Sequence, residues 1–434
     1  MSSGQTWDTL TVDQLAEEII DYRGKSPTKS ESGIPLVTAK IVKSGRIDTP
    51  TEFIPEADYD DWMRRGIPRP GDVVITTEAP LGEVAQLGAD KVALAQRLIV
   101  VRAKPELMAN RFLKYALQSS TVQHRLRARA TGTTVLGIKQ SELRQIEIPI
   151  PPLPEQRRIA HILGTLDDKI ELNRRMNRTL EAIARAIFKS WFVDFDPVHV
   201  KAEGREPIGM APETAALFPD SFQDSPLGKI PKGWEMRTLG DILSLTRNSM
   251  SPAEFPEEEF DHYSIPAFDR GAPVAELASA IKSSKYLVSP SAILVSKLNP
   301  RFPRVWRPQL STIRRSICST EFLVSVPAAG VPREYLFGLL SSSVFLRALS
   351  SLATGTTGSH QRVRPSAYLK MDVPVPPTEL QVAFSEHMDA FSGMASSLQA
   401  ESEYLAQSRN GLLPRLLSGH LKADHETAQD GAEQ

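Results

Sequence analysis

IPIPPLPEQRRIA, residues 148–160, and VPVPPTELQVA, residues 373–383, are two copies of one junction. Each runs β-branched, proline, β-branched, proline, proline, then a polar turn ending in glutamine, then apolar residues at helical spacing. Proline is tolerated in the first turn of a helix and breaks one later, so each copy reads as a strand handing over to a helix. A junction used twice implies a chain built twice.

The surrounding sequence repeats as well. ATGTT stands at 130–134 and again at 353–357, followed each time by a basic polar stretch and then by the proline-rich junction. The copies lie 223 residues apart at ATGTT and 225 apart at the junction, so the second carries a small insertion. Upstream, RPGDVVITT (69–77) matches VSPSAILVS (288–296) as a buried-strand pattern. Gln96–Val101 and Thr320–Ser325 match as short strands before a helix.

Beyond each junction the apolar spacing alternates four and three, the seam of a coiled coil. The first seam is Ile159, Leu163, Leu166, Ile170, Asn173, Asn177, Leu180, Ala184, Ile187 and Trp191. The second is Phe384, Met388, Phe391, Ala395, Leu398, Ser402, Leu405, Arg409, Leu412 and Leu416. Each helix would run about 50–60 Å at about 1.5 Å per residue. Residues 155–191 hold eight Lys/Arg against five Asp/Glu, and residues 379–417 hold two against five. Matching seams of opposite charge should pack on each other; the plainer alternative is that each seam covers only its own globular segment. Asn173 and Asn177 then become buried polar groups that fix register.

Residues 191–234, rich in Pro and Gly and without sustained periodicity, read as a connector. The expected organisation is a globular domain over 1–147, a helical spacer over 148–191, a connector over 192–230, a second globular domain over 231–372, a second helical spacer over 373–420, and an acidic disordered tail over 421–434. A chain of 434 residues is too long for one ordinary core, which agrees.

Several functions are excluded or disfavoured by what is missing. Cys318 is the one cysteine, so no internal disulfide and no cysteine-based metal site can form. The first twenty residues lack a basic start and an apolar core, and no window reaches a membrane span, so the expected compartment is the cytoplasm. RGKS (23–26) imitates the end of a phosphate-binding loop, but Ile19 stands where that loop needs glycine. NPRF (299–302) imitates an adenine-methyltransferase motif, with Arg301 in place of the second proline and no glycine-rich cofactor loop. The eight histidines have no ligand spacing, and no nucleophile elbow appears. No catalytic residue and no metal ligand is nominated.

Net charge is −1, so any nucleic-acid role must rest on local patches. Residues 111–144 hold seven Lys/Arg and one acid, ending in a Gly/Thr loop whose amides and hydroxyls can approach phosphates. Residues 297–315 hold six basic residues, no acid, and two aromatics. The bland reading of each stretch is a solvated charged face. Charge and placement nominate Arg23, Lys25, Lys43 and Arg46 near the N-terminus as DNA contacts, then Arg125, Arg127, Thr133, Thr134 and Lys139. In the second copy they nominate Lys297, Arg301, Arg304 and Arg314, with His360, Arg362 and Arg364 after the repeated loop.

These residues resemble a known family. DYRGKSPTKSESGIPLVTAKIVKSGRID (21–48), ATGTTVLGIKQSEL (130–143), the segment 148–197 beginning IPIPPLPEQ, and LGKIPKGW (227–234) resemble the specificity subunit of type I restriction-modification systems. The resemblance implies an α+β fold: two mixed α/β target recognition domains separated by two long helices that form an antiparallel coiled coil. It implies a bipartite, asymmetric double-stranded DNA site, and helices that space the half-sites and dock methyltransferase subunits, two of them. Restriction or translocase subunits would join through these. Ile159, Leu163, Leu166, Ile170, Asn173, Leu180, Phe384, Met388, Phe391, Leu398 and Leu405 would serve seam and docking. The chain itself would hold no cofactor, while the assembled complex would use S-adenosylmethionine, ATP and Mg2+. PPTELQ departs from PPLPEQ, which puts docking on the second helix in doubt. Two other readings are a self-contained nucleic-acid methyltransferase resting on Asn299, and a non-catalytic coiled-coil scaffold.

Overall fold

The computed structural model describes residues 7–22, 26–355 and 361–421. The chain divides into two compact units, one of residues 1–174 with 399–434 and the other of 175–398. Both cuts fall inside long helices.

In the first unit the runs VVITT and LIVVRA, mostly apolar, bury every residue and so form central strands. The elements are β1 (Asp8–Thr11), β2 (Ala16–Asp21), β3 (Val73–Thr77), β4 (Leu81–Gln86) and β5 (Leu98–Ala103), then α1 (Asn110–Gln118), α2 (Ser120–Ala128), α3 (Gln140–Arg144), β6 (Glu147–Ile150) and α4 (Leu153–Phe192). An antiparallel sheet runs in the order β2–β5–β3–β4, and β1 pairs antiparallel with β6. Short strands at 34–37, 53–54 and 93–94 form a small second sheet with its own core around Tyr22, Leu36 and Val42.

The second unit repeats this plan with β7 (Glu235–Thr238), β8 (Leu243–Thr246), β9 (Ile293–Ser296), β10 (Val305–Trp306) and β11 (Phe322–Pro327), then α5 (Arg333–Ser341), α6 (Ser343–Ser351), α7 (Pro365–Leu369), β12 (Asp372–Val375) and α8 (Thr378–Leu417). Its sheet runs β8–β11–β9–β10, and β7 pairs with β12. A five-stranded sheet, with Glu259–Tyr263 and Ser316–Cys318 parallel at its heart, takes the place of the small sheet.

Register corrects one sequence match. Leu98 faces Thr76 in the first unit and Phe322 faces Ser296 in the second. Thr76 and Ser296 are therefore equivalent, one residue away from the alignment of 69–77 with 288–296. An unbroken apolar run carries no alternation, so its phase cannot be read from sequence. The connector needs a larger correction. Residues 192–230 hold helices Asp196–Ala202 and Pro212–Ala216 and most of a hairpin, Phe222–Ser225 with Gly228–Pro231. Val198, Phe218 and Ile230 bury themselves in the core of the second unit. A few well-spaced apolar anchors fix this segment without any period. The tail is also shorter than expected at its start, since Leu421 packs against the first unit's core; residues 422–434 lie outside the described residues.

Each core is completed by both long helices. In the first unit Ile159 and Leu163 of α4 share a cluster with Leu416 and Leu417 of α8, and Trp7 Nε1 donates to the Leu417 carbonyl at 2.8 Å. Farther along, Arg409 reaches Asp167 at 2.7 Å and Asn173 donates to Glu401 at 2.7 Å. The order is antiparallel. In the second unit Phe188, Trp191 and Phe192 of α4 close around Phe384 of α8, with ring centroids 5.2–6.0 Å apart. Ile170, Asn173 and Met388 are buried, and Leu166, Leu180, Phe391, Leu398 and Leu405 half-buried, so both seams face inward. The choice between paired seams and seams covering globular segments is not exclusive, because the same residues do both.

Asp167 is the most heavily tied of these groups. Lys114 and Tyr115 of α1 donate to it at 2.6 and 2.7 Å, in addition to Arg409. Burial pushes its pKa up, but the Lys114 charge and the three donors outweigh that and hold it below the usual carboxylate range. Gly164 leaves the room in which Arg111 crosses α4 to reach Asp168 at 2.6 Å; a Cβ there would lie 2.4 Å from the guanidinium.

The repeated glutamine explains the repeated junction. Gln156 is fully buried; its amide donates to the Pro151 and Leu107 carbonyls and its oxygen accepts from the Ala109 amide at 3.0 Å. It thus ties the first turn of α4 to the residue that precedes α1. Gln381 repeats the bond to Pro376 at 2.9 Å, but the residue preceding α5 is Pro332, which has no N–H. Its Oε1 is buried with no partner among the described residues.

We expect Gln156→Ala to destabilise the full chain by about 2–4 kcal/mol, as loss of several buried hydrogen bonds should, and Gln381→Ala by about 1 kcal/mol. Urea unfolding of the two variants checks the order; equal losses would contradict it.

Candidate nucleic-acid interface

In the first unit the Ala130–Thr134 segment forms a loop stapled to the end of a sheet strand. Thr131 and Gly137 exchange amide-to-carbonyl bonds at 2.8 and 2.9 Å. The Ile138 amide then donates to the Thr77 carbonyl at 3.0 Å, and the Thr77 amide to the Arg97 carbonyl at 2.9 Å. Gly132 sits at φ +124, and a Cβ there would lie 2.1 Å from the Val135 carbonyl oxygen, so the turn admits only glycine. Thr133, Thr134, Val135 and Leu136 are left exposed at its tip.

The second unit builds the same staple. Thr354 and Arg362 exchange bonds at 3.0 Å each, the Val363 amide donates to Lys297 at 2.9 Å, and the Lys297 amide to Glu321 at 3.0 Å. Ala79 and Asn299 follow the strand in each unit, both left-handed, at φ 45 and 47. Asparagine tolerates that backbone. Asn299 therefore has a conformational role at the head of a turn that the Phe302 amide closes on its carbonyl at 2.9 Å.

The nominated cations divide into two groups. Lys43 and Arg46 both pair with Asp48, at 2.7 and 2.9 Å. Arg125 donates to the Glu147 carbonyl at 2.7 Å, Arg304 pairs with Asp269 at 2.7 Å, Arg314 with Asp261 at 2.7 Å, and Arg362 with Glu321 at 3.0 Å. Arg301 lies 5.0 Å over the Phe302 ring. A paired guanidinium projects a weaker field, so charge counted along the sequence overstates the patch. Arg127, Lys139, Lys297 and Arg364 have no ion pair among the described residues, and all but Lys297 are exposed. Arg23, Lys25 and His360 lie outside the described residues.

Lys139 and Arg364 hold equivalent positions, each in its own unit. Each leaves its stapled loop and stands immediately before a five-residue helix, α3 or α7. A hydroxyl-lined loop beside an unpaired cation suits contact with a phosphate backbone. Arg97, Glu78 and Glu321 were not legible in advance: Arg97 pairs with Glu78 at 2.7 Å across nineteen residues, without local periodicity to announce it.

Other chemistry finds little support. Cys318 is buried, and burial pushes its thiol up to about 12, so it is no nucleophile at neutral pH. Among the described residues no group of three His, Cys, Asp or Glu could hold a metal, and no helix is long and apolar enough to cross a membrane.

Residues 18–182 match the family model of the type I restriction modification DNA specificity domain. The chain is 24% identical to the type I restriction enzyme MjaIX specificity subunit of Methanocaldococcus jannaschii, covering 96% of this chain and 94% of that protein. It is 26% identical to the HindI specificity subunit of Haemophilus influenzae, covering 76% and 82%. The crystal structure of a type I restriction-modification S subunit from M. genitalium shares the fold, with a TM-score of 0.51, 18% identity, and coverage of 96% and 97%.

Replacing Gly132 with Ala should open the first loop while leaving the unit folded. Hydrogen exchange should rise at residues 131–138 and global stability should fall by only about 1–2 kcal/mol. Unchanged protection there would show that the staple does not depend on the glycine.

Proposed function

We propose, for a chain that belongs to the type I restriction-modification specificity subunits, that each unit reads one half of a bipartite, asymmetric double-stranded DNA site. The observation that carries this reading is the backbone staple, built twice with the same bonds and followed each time by a cation, Lys139 or Arg364, that has no ion pair among the described residues. On a protein of net charge −1, such local cations are what can hold phosphates. Arg127, Thr133 and Thr134 join Lys139 on the first half-site, and Lys297 joins Arg364 on the second. Lys43, Arg46, Arg125, Arg304 and Arg314 serve mainly their intramolecular partners.

The paired helices set the gap between half-sites and dock two methyltransferase subunits, through which restriction subunits join. Leu172, Met176 and Ile183, exposed on the outer side of α4, supply apolar area for such docking. The chain selects the site and performs no bond-making step. S-adenosylmethionine, ATP and Mg2+ act in the partner subunits, and the assembly works in the cytoplasm.

Removing one heptad from each helix, residues 176–182 and 393–399, keeps both seams in phase and spares the Asn173–Glu401 bond. The helices shorten by about 10 Å, or roughly three base pairs of duplex. Methylation mapping of this variant should show both half-sites unchanged and the gap about three base pairs shorter. Loss of the half-sites with an unchanged fold would contradict the spacer role.

A further inference from the structure

Equivalent places in the two units hold unlike groups where the long helices end. Tyr115 is the sixth residue of α1 and Gly338 the sixth of α5. Gln156 and Gln381 fix the match between the long helices, which sets Asp167 against Ser392, Ala184 against Arg409 and Phe188 against Leu413. The end of α8 enters the first unit and the end of α4 the second, so Arg409 and Leu413 stand in one where Ala184 and Phe188 stand in the other.

The first difference is one of size. In the second unit the Phe188 ring lies against Gly338, and a Cβ on that glycine would come within 2.3 Å of the ring. The ring has no room to turn aside, because Phe192, Tyr335 and Phe384 pack around it with centroids 4.9–6.1 Å away. In the first unit the same place carries the whole side chain of Tyr115, fully buried and donating to Asp167 at 2.7 Å. The smaller Leu413 packs on that core. The second difference is one of charge. Arg409 pairs with Asp167 at 2.7 Å, both mostly buried. In the second unit Ser392 accepts from Arg307 at 2.6 Å, and Glu334 takes the charge of that arginine, also at 2.6 Å.

The helix ends are therefore not interchangeable. The end of α4 in a first unit would press Phe188 on Tyr115 and leave Asp167 without Arg409. The end of α8 in a second unit would put Leu413 where Phe188 fills the room beside Gly338, and Arg409 beside Arg307 with no carboxylate at position 392. Overpacking, a cavity and an uncompensated charge disfavour both arrangements. We propose that this exchange of size and charge is a pairing code: the end of α4 fits only a unit of the second kind, and the end of α8 only one of the first. The surface each helix end meets selects the complementary half of the chain and rejects the same half of another copy. Every assembled reader then carries one unit of each kind. The pairing rule stands on packing alone; that it commits the reader to an asymmetric site rests on the half-site reading above.

The test starts from the full chain, folded and then cut once by a protease at a site placed within the exposed residues 203–206. After unfolding in urea and refolding together, native mass spectrometry should find pairs of one N-terminal and one C-terminal piece in at least roughly tenfold excess over like pairs. A smaller excess would overturn the code. If the pieces do not refold, the uncut chain decides. There Gly338→Ala should lower the urea midpoint, and combining it with Phe188→Leu should cost clearly less than the two changes made apart. Losses that simply add would overturn the code as well. If the unaltered chain directs no bipartite methylation, the half-site reading falls while the pairing result stands.

Discussion

The first unit cannot be built from one contiguous stretch of chain, and the rest of the structure depends on that constraint. Leu416 and Leu417, near the C-terminal end of the described chain, fill the core that begins at Trp7. Phe188, Trp191 and Phe192, at the end of the first long helix, fill the core of the second unit. Burying a large apolar side chain contributes about 1.5–3 kcal/mol, so these few residues rival the net stability of a typical domain. The helices are therefore at once partners of each other and walls of both units. The seam sets their register, and Asp167, receiving donors from α1 and α8 together, couples that register to a globular fold.

A twice-built frame with two bonds missing from the second copy shows how far the copies have diverged. Gln156 uses its whole amide, whereas the second copy has Pro332 in the place of Ala109 and the Gln381 oxygen is without a partner among the described residues. The staples diverge the other way: their backbone bonds persist while the side chains around them exchange charge. Backbone geometry is what the two units hold in common, and side-chain chemistry is where they differ.

The legible parts of this molecule were those encoded locally. Prolines followed by four-three spacing placed both long helices, and the repeat of ATGTT with its junction located the two stapled loops. The phase of the buried strands was not legible, because VVITT and AILVS show no alternation. The fold of residues 192–230 escaped notice because its anchors, Val198, Phe218 and Ile230, are too sparse to form a pattern. Which cations have acidic partners was not legible either: Asp48, Asp261 and Asp269 pair with Lys43, Arg46, Arg314 and Arg304, and such pairings depend on tertiary contacts. The entry of residues 412–421 into the first unit's core was invisible for the same reason.

The most direct measurement is a genome-wide map of adenine methylation in the source strain, with this gene intact and with it disrupted. Disruption should erase one bipartite motif, both halves together, and leave every other methylated sequence in place. A map that is unchanged on disruption, in a strain where the chain and its partner subunits are expressed, would contradict the assignment of DNA specificity to this chain.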